Sequence, residues 1–443
     1  MRHPLPRRDF VHGAASALAF TIVPRHVLGR GYRAPSDTLR VACIGVGGMG
    51  RNDVRGMSGE TVYALCDVDW RNATDAIGAN PGAKRYRDFR EMLATDAASI
   101  DAVTISTPDH THAPAVMAAL KAGKHVYCQK PLARTLGEVR AIEAEAARRP
   151  RQATQMGNQG HAGEGTRQIR EWVEAGAIGT VREVQYWTDR PIWPQAIDRP
   201  TEAHNVPPQF DWDLWLGPAP ARPFHPAYAH FRWRGWWDFG TGALGDIACH
   251  AMDAAFWTLG LKYPTRIEAE STTLFAETAP RSSRIVYHFP AGAGRPAVTC
   301  VWRDGNLRPP APPEVDASAW PPFGDGGQLW IGDDGKLVAG MYGQNPRLLD
   351  AERDREIKAT PPAQKYPRVE SVHAEWIAGC KAGTQPGSSF AGHAGPLTEM
   401  VLLGNLAVRA GRVLEIDPQT GAVTNATIPD EWIMPRYRDG WRL

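Results

Sequence analysis

The chain has 443 residues, enough for about three domains at ~150 residues each and for a large buried core. Its 50 Lys and Arg against 48 Asp and Glu give no global basis for nucleic-acid or membrane-surface binding. Hydrophobic residues at 43% with charged residues at 22% exclude wholesale disorder.

Residues 1–38 read as an export signal and linker rather than part of a fold. Arg2, Arg7 and Arg8 precede an apolar run from Gly13 to Val23, too short for a permanent membrane helix. The Arg7-Arg8 pair followed by Asp9-Phe10-Val11 resembles a twin-arginine signal, with an ordinary basic signal region as the alternative. The expected protein is handled by the twin-arginine export machinery, is periplasmic or otherwise exported, and is soluble after cleavage. The six cysteines, Cys43, Cys66, Cys128, Cys249, Cys300 and Cys380, show no C-x-x-C spacing, so neither a disulfide framework nor a metal site is expected.

From residue 39 to 157 short apolar runs alternate with helical ones. Strands are predicted at Arg40–Ile44, Thr61–Cys66, Ile100–Ser106, His125–Cys128 and Gln152–Met156. Helices are predicted at Asn72–Gly78, Phe89–Ala94, Thr111–Ala122 and Thr135–Arg148. This alternation is the signature of a doubly wound parallel sheet, a Rossmann domain of α/β class. Gly45-Val-Gly47-Gly48-Met49-Gly50 directly follows the first strand, where glycines permit a tight turn and close approach of backbone N–H groups to a pyrophosphate. Asp67 after the second strand is placed to accept from a ribose hydroxyl, favouring NAD, with a helix-capping role as the alternative. Arg71 is the residue that would instead favour NADP.

Residues 158–443 are expected to form an α+β domain with a large open, mostly antiparallel sheet. The loop Gln155–His161 offers Asn158 and His161 to cofactor or substrate, or to loop capping. Asp246 and His250 stand one turn apart on a helix, a spacing shared by solvated helix faces and, with a further ligand, metal sites. Strands are predicted at Arg284–Phe289, Ala297–Trp302 and Leu329–Gly332, a hairpin turn at Asp333-Asp-Gly335, and helices near Val372–Ala382 and Leu397–Ala410. Half of the 16 Trp (Trp187, Trp193, Trp212, Trp215, Trp233, Trp236, Trp237 and Trp257) lie in one Pro-rich, interrupted stretch. Such aromatics either fill a core or stack on a ligand; Trp193 and Trp237 are the candidates for stacking on substrate.

Together with the glycine loop, Ser106-Thr107-Pro108-Asp-His-Thr-His112 and Cys128-Gln129-Lys130-Pro131 resemble motifs of the Gfo/Idh/MocA oxidoreductases. The resemblance covers nearly the whole chain after residue 38. It implies that Thr107, Pro108, His112, Gln129 and Lys130 lie along the cofactor and that Lys130, Asp246 and His250 form a catalytic triad that also binds substrate. Gln129 stands where the family carries glutamate. The activity implied is an NAD-dependent oxidation of a ring hydroxyl of a sugar, glycoside or cyclitol by an exported homo-oligomer. His250 is favoured as base because an ordinary imidazole titrates near neutral pH, with Lys130 as the alternative. A glycoside hydrolase or lyase with tightly bound, internally recycled NAD is a second reading, and a non-catalytic sugar-binding protein a third.

Overall fold

Alternating strands and helices after Leu39 build the first of two sheets in the computed structural model, which describes residues 37–292 and 294–443. The Arg7-Arg8 pair and the apolar run that carry the expected export signal lie outside these residues. In chain order come β1 (Arg40–Ile44), α1 (Gly50–Gly56), β2 (Thr61–Cys66), α2 (Thr74–Ala79), β3 (Lys84–Tyr86) and α3 (Phe89–Asp96). They are followed by β4 (Ala102–Ile105), α4 (His112–Lys121), β5 (His125–Cys128), α5 (Leu136–Ala147) and β6 (Thr154–Met156). The sheet order is β3-β2-β1-β4-β5-β6, with all pairs parallel. All four residues of β4 are buried, as expected where helices cover both faces of a parallel sheet. The sequence overlooks β3, whose charged Lys84-Arg85 start hides an edge strand.

The second half begins with α6 (Glu164–Glu174), β7 (Val181–Thr188), α7 (Trp212–Leu216), α8 (Gly242–Ala251), α9 (Asp253–Thr258), β8 (Arg266–Ser271), β9 (Ser283–Phe289) and β10 (Val298–Arg303). It continues with β11 (Gly326–Gly332), β12 (Lys336–Gly340), β13 (Arg347–Leu348), α10 (Ala351–Ala359), α11 (Val372–Ala382), α12 (Gly395–Ala410) and β14 (Leu414–Glu415). Its eight strands run β13-β12-β11-β7-β10-β9-β8-β14, antiparallel except for the β7–β10 pair. The Asp333-Asp-Gly335 turn joins β11 to β12 as a hairpin.

One correction concerns β7. Tyr186 and Trp187, read from sequence as part of the aromatic loops, belong to the middle of this sheet. Successive side chains on a strand face opposite sides: Tyr186 enters the main core, while Trp187 joins Leu329 and Val338 in a second cluster. Trp187 Nε1 there donates to the Phe323 carbonyl at 2.9 Å. Most of the other tryptophans are also core. Trp215, Trp233 and Trp236 pack with Phe210, Phe224, Tyr228 and Phe239 into an aromatic subcore that also touches Val68 beside β2. Among the described residues, no helix is long and apolar enough to cross a membrane.

Helix α12 crosses the second sheet so closely that a Cβ at Gly404 would overlap the Tyr287 hydroxyl on β9. That hydroxyl is buried without a hydrogen-bond partner. Gly404→Ala is expected to destabilise the fold by about 1–3 kcal/mol through overpacking. Tyr287→Phe should be near neutral, because a bare hydroxyl contributes no bond to lose, and should restore part of the loss in the double variant. Urea denaturation of the four proteins checks this; additive behaviour would refute the contact.

Candidate active site

The turn between β1 and α1 is shaped by two glycines. Gly45 has φ of +75°, and a side chain there would also meet the Ser106 carbonyl at 2.6 Å. A Cβ at Gly50 would overlap the Gly45 carbonyl, so α1 can approach β1 only without one. Asp67 braces the turn: its Oδ2 accepts from Val46 N–H and its Oδ1 from Asp69 N–H, both at 2.8 Å. Burial raises the Asp67 carboxyl above its ordinary range, and those backbone donors pull it back.

Beside this turn opens a cavity of about 570 Å³, in the range of small-molecule sites. Gly45, Gly47, Gly48, Met49, Asp67, Thr107, Pro108, Gln129 and Lys130 line one side. Trp215, Phe231, Trp233, Arg234 and Trp441 roof it from the second half of the chain. A side-chain-free cradle, an acid beyond it and an apolar roof fit a dinucleotide. Arg71 does not line the cavity; its guanidinium pairs with Asp69, with Nε at 2.9 Å from Oδ1, and Asp69 also pairs with His230 at 2.9 Å.

Lys130 stands at the end of β5, where ligands of open parallel sheets bind. Its Nζ donates to both Oδ1 and the backbone carbonyl of Asp246 at 2.9 Å. Arg234 Nε donates to the same Oδ1 at 3.0 Å. Lys130 and Arg234 line the cavity, while Asp246 lies behind them. Burial alone would raise the Asp246 carboxyl; the two cations overcome it and hold the group well below the ordinary carboxylate range. Arg234 escapes the sequence reading because Phe231-Arg-Trp-Arg-Gly contains two equivalent arginines, and only folding selects one.

His250 joins the cluster with a different character. It is buried, its ring meets Tyr342 edge-on at 4.7 Å between centroids, and its Nδ1 has no partner. Burial, then the charge of Lys130, push its pKa down to about 3. The reason for favouring it as base, an ordinary imidazole pKa, is therefore removed by the fold.

Other expected contacts take supporting places. His112 is buried with its ring nitrogens facing the carbonyls of Pro131 and Thr107 at 2.8 and 2.9 Å, so it fastens the lysine loop to the β4 loop. Asn158 is buried, its Oδ1 accepting from Ser388 Oγ at 2.7 Å. His161 is held by Asp253 at 3.1 Å, and His393 binds the same carboxylate. These three buried residues form a His-His-Asp set whose donor atoms are close enough to hold a metal, and hydrogen bonds among them already satisfy it. Trp193 supports Arg234, whose guanidinium lies 5.7 Å from its ring, and Trp237 lines a separate small cavity with Arg134 and Arg409. Neither opens onto the dinucleotide cavity.

Gln129 explains its own departure from glutamate. Asp53 on α1 is buried and accepts from Ser106 Oγ at 2.6 Å, from Gln129 Nε2 at 3.0 Å and from His373 Nε2 at 2.8 Å. A glutamate at 129 would turn a donor into a second carboxylate.

Residues 39–157 match the family described as "Oxidoreductase family, NAD-binding Rossmann fold", and residues 166–295 match "Oxidoreductase family, C-terminal alpha/beta domain", both of the Gfo/Idh/MocA group. The NAD-binding Rossmann fold is thus common to sequence and structure. Inositol 2-dehydrogenase 3 of Saccharopolyspora erythraea is 36% identical over 148 residues, which is 32% of this chain and 43% of that protein. The aligned stretch thus spans less than half the length of this curated relative. Two solved structures share the fold. The WlbA dehydrogenase of Bordetella pertussis, in complex with NADH and UDP-GlcNAcA, aligns with a TM-score of 0.58 at 16% identity, covering 86% of this chain and 99% of that one. Levoglucosan dehydrogenase with NADH aligns at 0.57 and 17%, covering 86% and 99%.

Gln129→Glu is expected to lower stability at neutral pH by about 1–3 kcal/mol, because Asp53 loses a donor and faces a like charge. The loss should shrink as pH falls and the new carboxyl gains a proton, and Asp53→Asn should relieve it. Thermal melting against pH checks both; a pH-independent loss would point to shape rather than charge.

Proposed function

Since the chain belongs to the Gfo/Idh/MocA oxidoreductase family, we propose that it is an NAD-dependent oxidoreductase acting on a ring hydroxyl of a sugar, glycoside or cyclitol. The observation that carries this reading is the Lys130 side chain, paired with Asp246 and lining the same cavity as the glycine turn. NAD supplies the hydride acceptor when bound. Lys130 keeps N–H capacity toward the cavity, where it holds the substrate oxygen and stabilises developing alkoxide charge. Asp246 fixes the position of that ammonium, and Arg234 adds a second cation on the cavity wall. His250, neutral and with its Nδ1 unpartnered, is the group proposed to accept the hydroxyl proton. Support comes from the relatives named inositol 2-dehydrogenase and from structural neighbours whose names specify levoglucosan or a nucleotide sugar.

One observation favours the hydrolase reading beside it. The cavity is roofed by Phe231, Trp233 and Trp441, an apolar cover that would retain a dinucleotide. A retained cofactor suits oxidation, elimination, hydration and re-reduction within one site, with glycoside cleavage as the net outcome.

The protein purified without added cofactor and then denatured should release NAD. Incubated with a panel of polyols and glycosides, it should either reduce its cofactor or cleave without net redox change, which separates the two readings. No nucleotide and no turnover would sink both. Lys130→Met is expected to lower turnover by roughly 10²–10³-fold with NAD still bound; wild-type rates would remove Lys130 from the role. The exported location is a further part of the reading. Arg7→Lys with Arg8→Lys should keep the protein out of the periplasmic fraction, and unchanged fractionation would overturn twin-arginine export.

A further inference from the structure

Residues just after β1, β2, β3, β4 and β5 (Gly45, Asp67, Arg87, Ser106 and Gln129) all line the dinucleotide cavity, so it runs across the ends of five neighbouring strands. Lys130 beyond β5 and Arg87 beyond β3 are four strand spacings apart, roughly 19 Å. A pyrophosphate at the glycine turn after β1 lies between these ends, and the two nucleosides extend to opposite sides of it. An acid after β2, here Asp67, is where this fold holds the ribose of the adenosine. The adenosine half therefore lies over β2 and β3, away from Lys130.

At the β3 end the cavity wall is made by Arg87, Asp88, Phe89 and, from the C-terminal segment, Trp441. The Phe89 and Trp441 rings meet at 6.0 Å between centroids, with 56° between their planes. The Arg90 guanidinium covers the indole from 4.0 Å, which leaves the rest of the ring to the cavity. The same guanidinium donates to the Gly440 carbonyl at 2.9 Å and to Asp88 Oδ2 at 2.6 Å. On either side of Trp441, Arg438 pairs with Asp213 of α7 at 2.5 Å, and Lys121 of α4 donates to the Leu443 carbonyl at 2.9 Å. The protein itself thus holds the indole in place, and binding against it needs little further ordering. Asp67, Asp69 and Asp88 line the same side of the cavity. Three carboxylates repel a phosphate there, whereas a flat uncharged base finds two aromatic rings to lie against.

We propose that Trp441 and Phe89 form the adenine-binding wall of this site, so that the C-terminal segment completes the cofactor site of the Rossmann domain. The base packs against the two rings, the glycine turn takes the pyrophosphate, and the nicotinamide half lies beyond reach of Trp441. The regions matched to the family are 39–157 and 166–295, so Trp441 lies outside both. The inference rests on the NAD part of the oxidoreductase reading and holds whichever hydroxyl is oxidised.

The test uses wild type, Trp441→Ala and Trp441→Phe, each titrated with NADH by its fluorescence. ADP-ribose and reduced nicotinamide mononucleotide are then added as competitors that carry one half of the cofactor each. Trp441→Ala should bind NADH and ADP-ribose roughly 10–100-fold more weakly than wild type, the loss expected when an aromatic ring under a base is removed. Its affinity for the mononucleotide, which lacks the adenosine, should match the wild type. Trp441→Phe keeps a ring and should retain most of the ADP-ribose affinity. Equal binding of ADP-ribose by wild type and Trp441→Ala overturns the proposal. A loss of the same factor for the mononucleotide also overturns it, because Trp441 would then act only on the shape of the whole site. A wild type that binds neither NADH nor ADP-ribose overturns the NAD reading itself, and the proposal falls with it.

Discussion

Asp246 has to remain ionised in a place from which water is excluded, and three distant parts of the chain meet to make that possible. Lys130 arrives from the parallel sheet, Arg234 from the aromatic segment, and Asp246 itself from α8 beneath the second sheet. An ion removed from water is costly unless its partners are held in good geometry, and removing one of them leaves uncompensated buried charge. A contact that joins the two halves of the protein therefore also fixes Lys130 at the cavity. A misassembled seam would lose stability and site together.

The cluster carries more positive than negative charge, and the surrounding groups answer that excess. His250 is kept neutral by burial and by Lys130, so it adds no further cation. The balanced overall charge gives long-range steering little to act through, which accords with the neutral polyol proposed as substrate.

The tryptophans divide between two tasks. Trp187 and Trp236 are wholly buried and belong to the core. Trp215 and Trp233 belong to the aromatic subcore, yet they also present surface to the dinucleotide cavity, and Trp441 from the C-terminal end joins them. The subcore is fastened beside the cofactor turn by Asp211 N–H donating to the Val68 carbonyl at 2.8 Å. The same side chains thus pack the seam and roof the cavity, so core and ligand surface are not exclusive alternatives here.

Much of the fold is legible in the sequence. The alternation of apolar runs determined the parallel sheet, because strands buried on both faces must be apolar throughout and their crossovers must be helical. The glycine turn and Asp67 followed from local chemistry, since a tight turn at a strand end and a charge beyond it are properties of a few adjacent residues, whereas Lys130 followed only from the resemblance of its motif to the family. The second sheet was harder. Its middle strand, Val181–Thr188, runs straight into the Pro-rich aromatic segment, and its Tyr-Trp end looked like loop. What the tertiary structure alone decided were relations between residues far apart in the chain. It chose Arg234 over Arg232, gave Gln129 to Asp53, tied His161 to Asp253, and buried the His250 ring beside charges that lower its basicity. The physical reason is common to all four: hydrogen-bond partners and desolvation depend on which surfaces meet, and the periodicity of a single segment carries no record of that meeting.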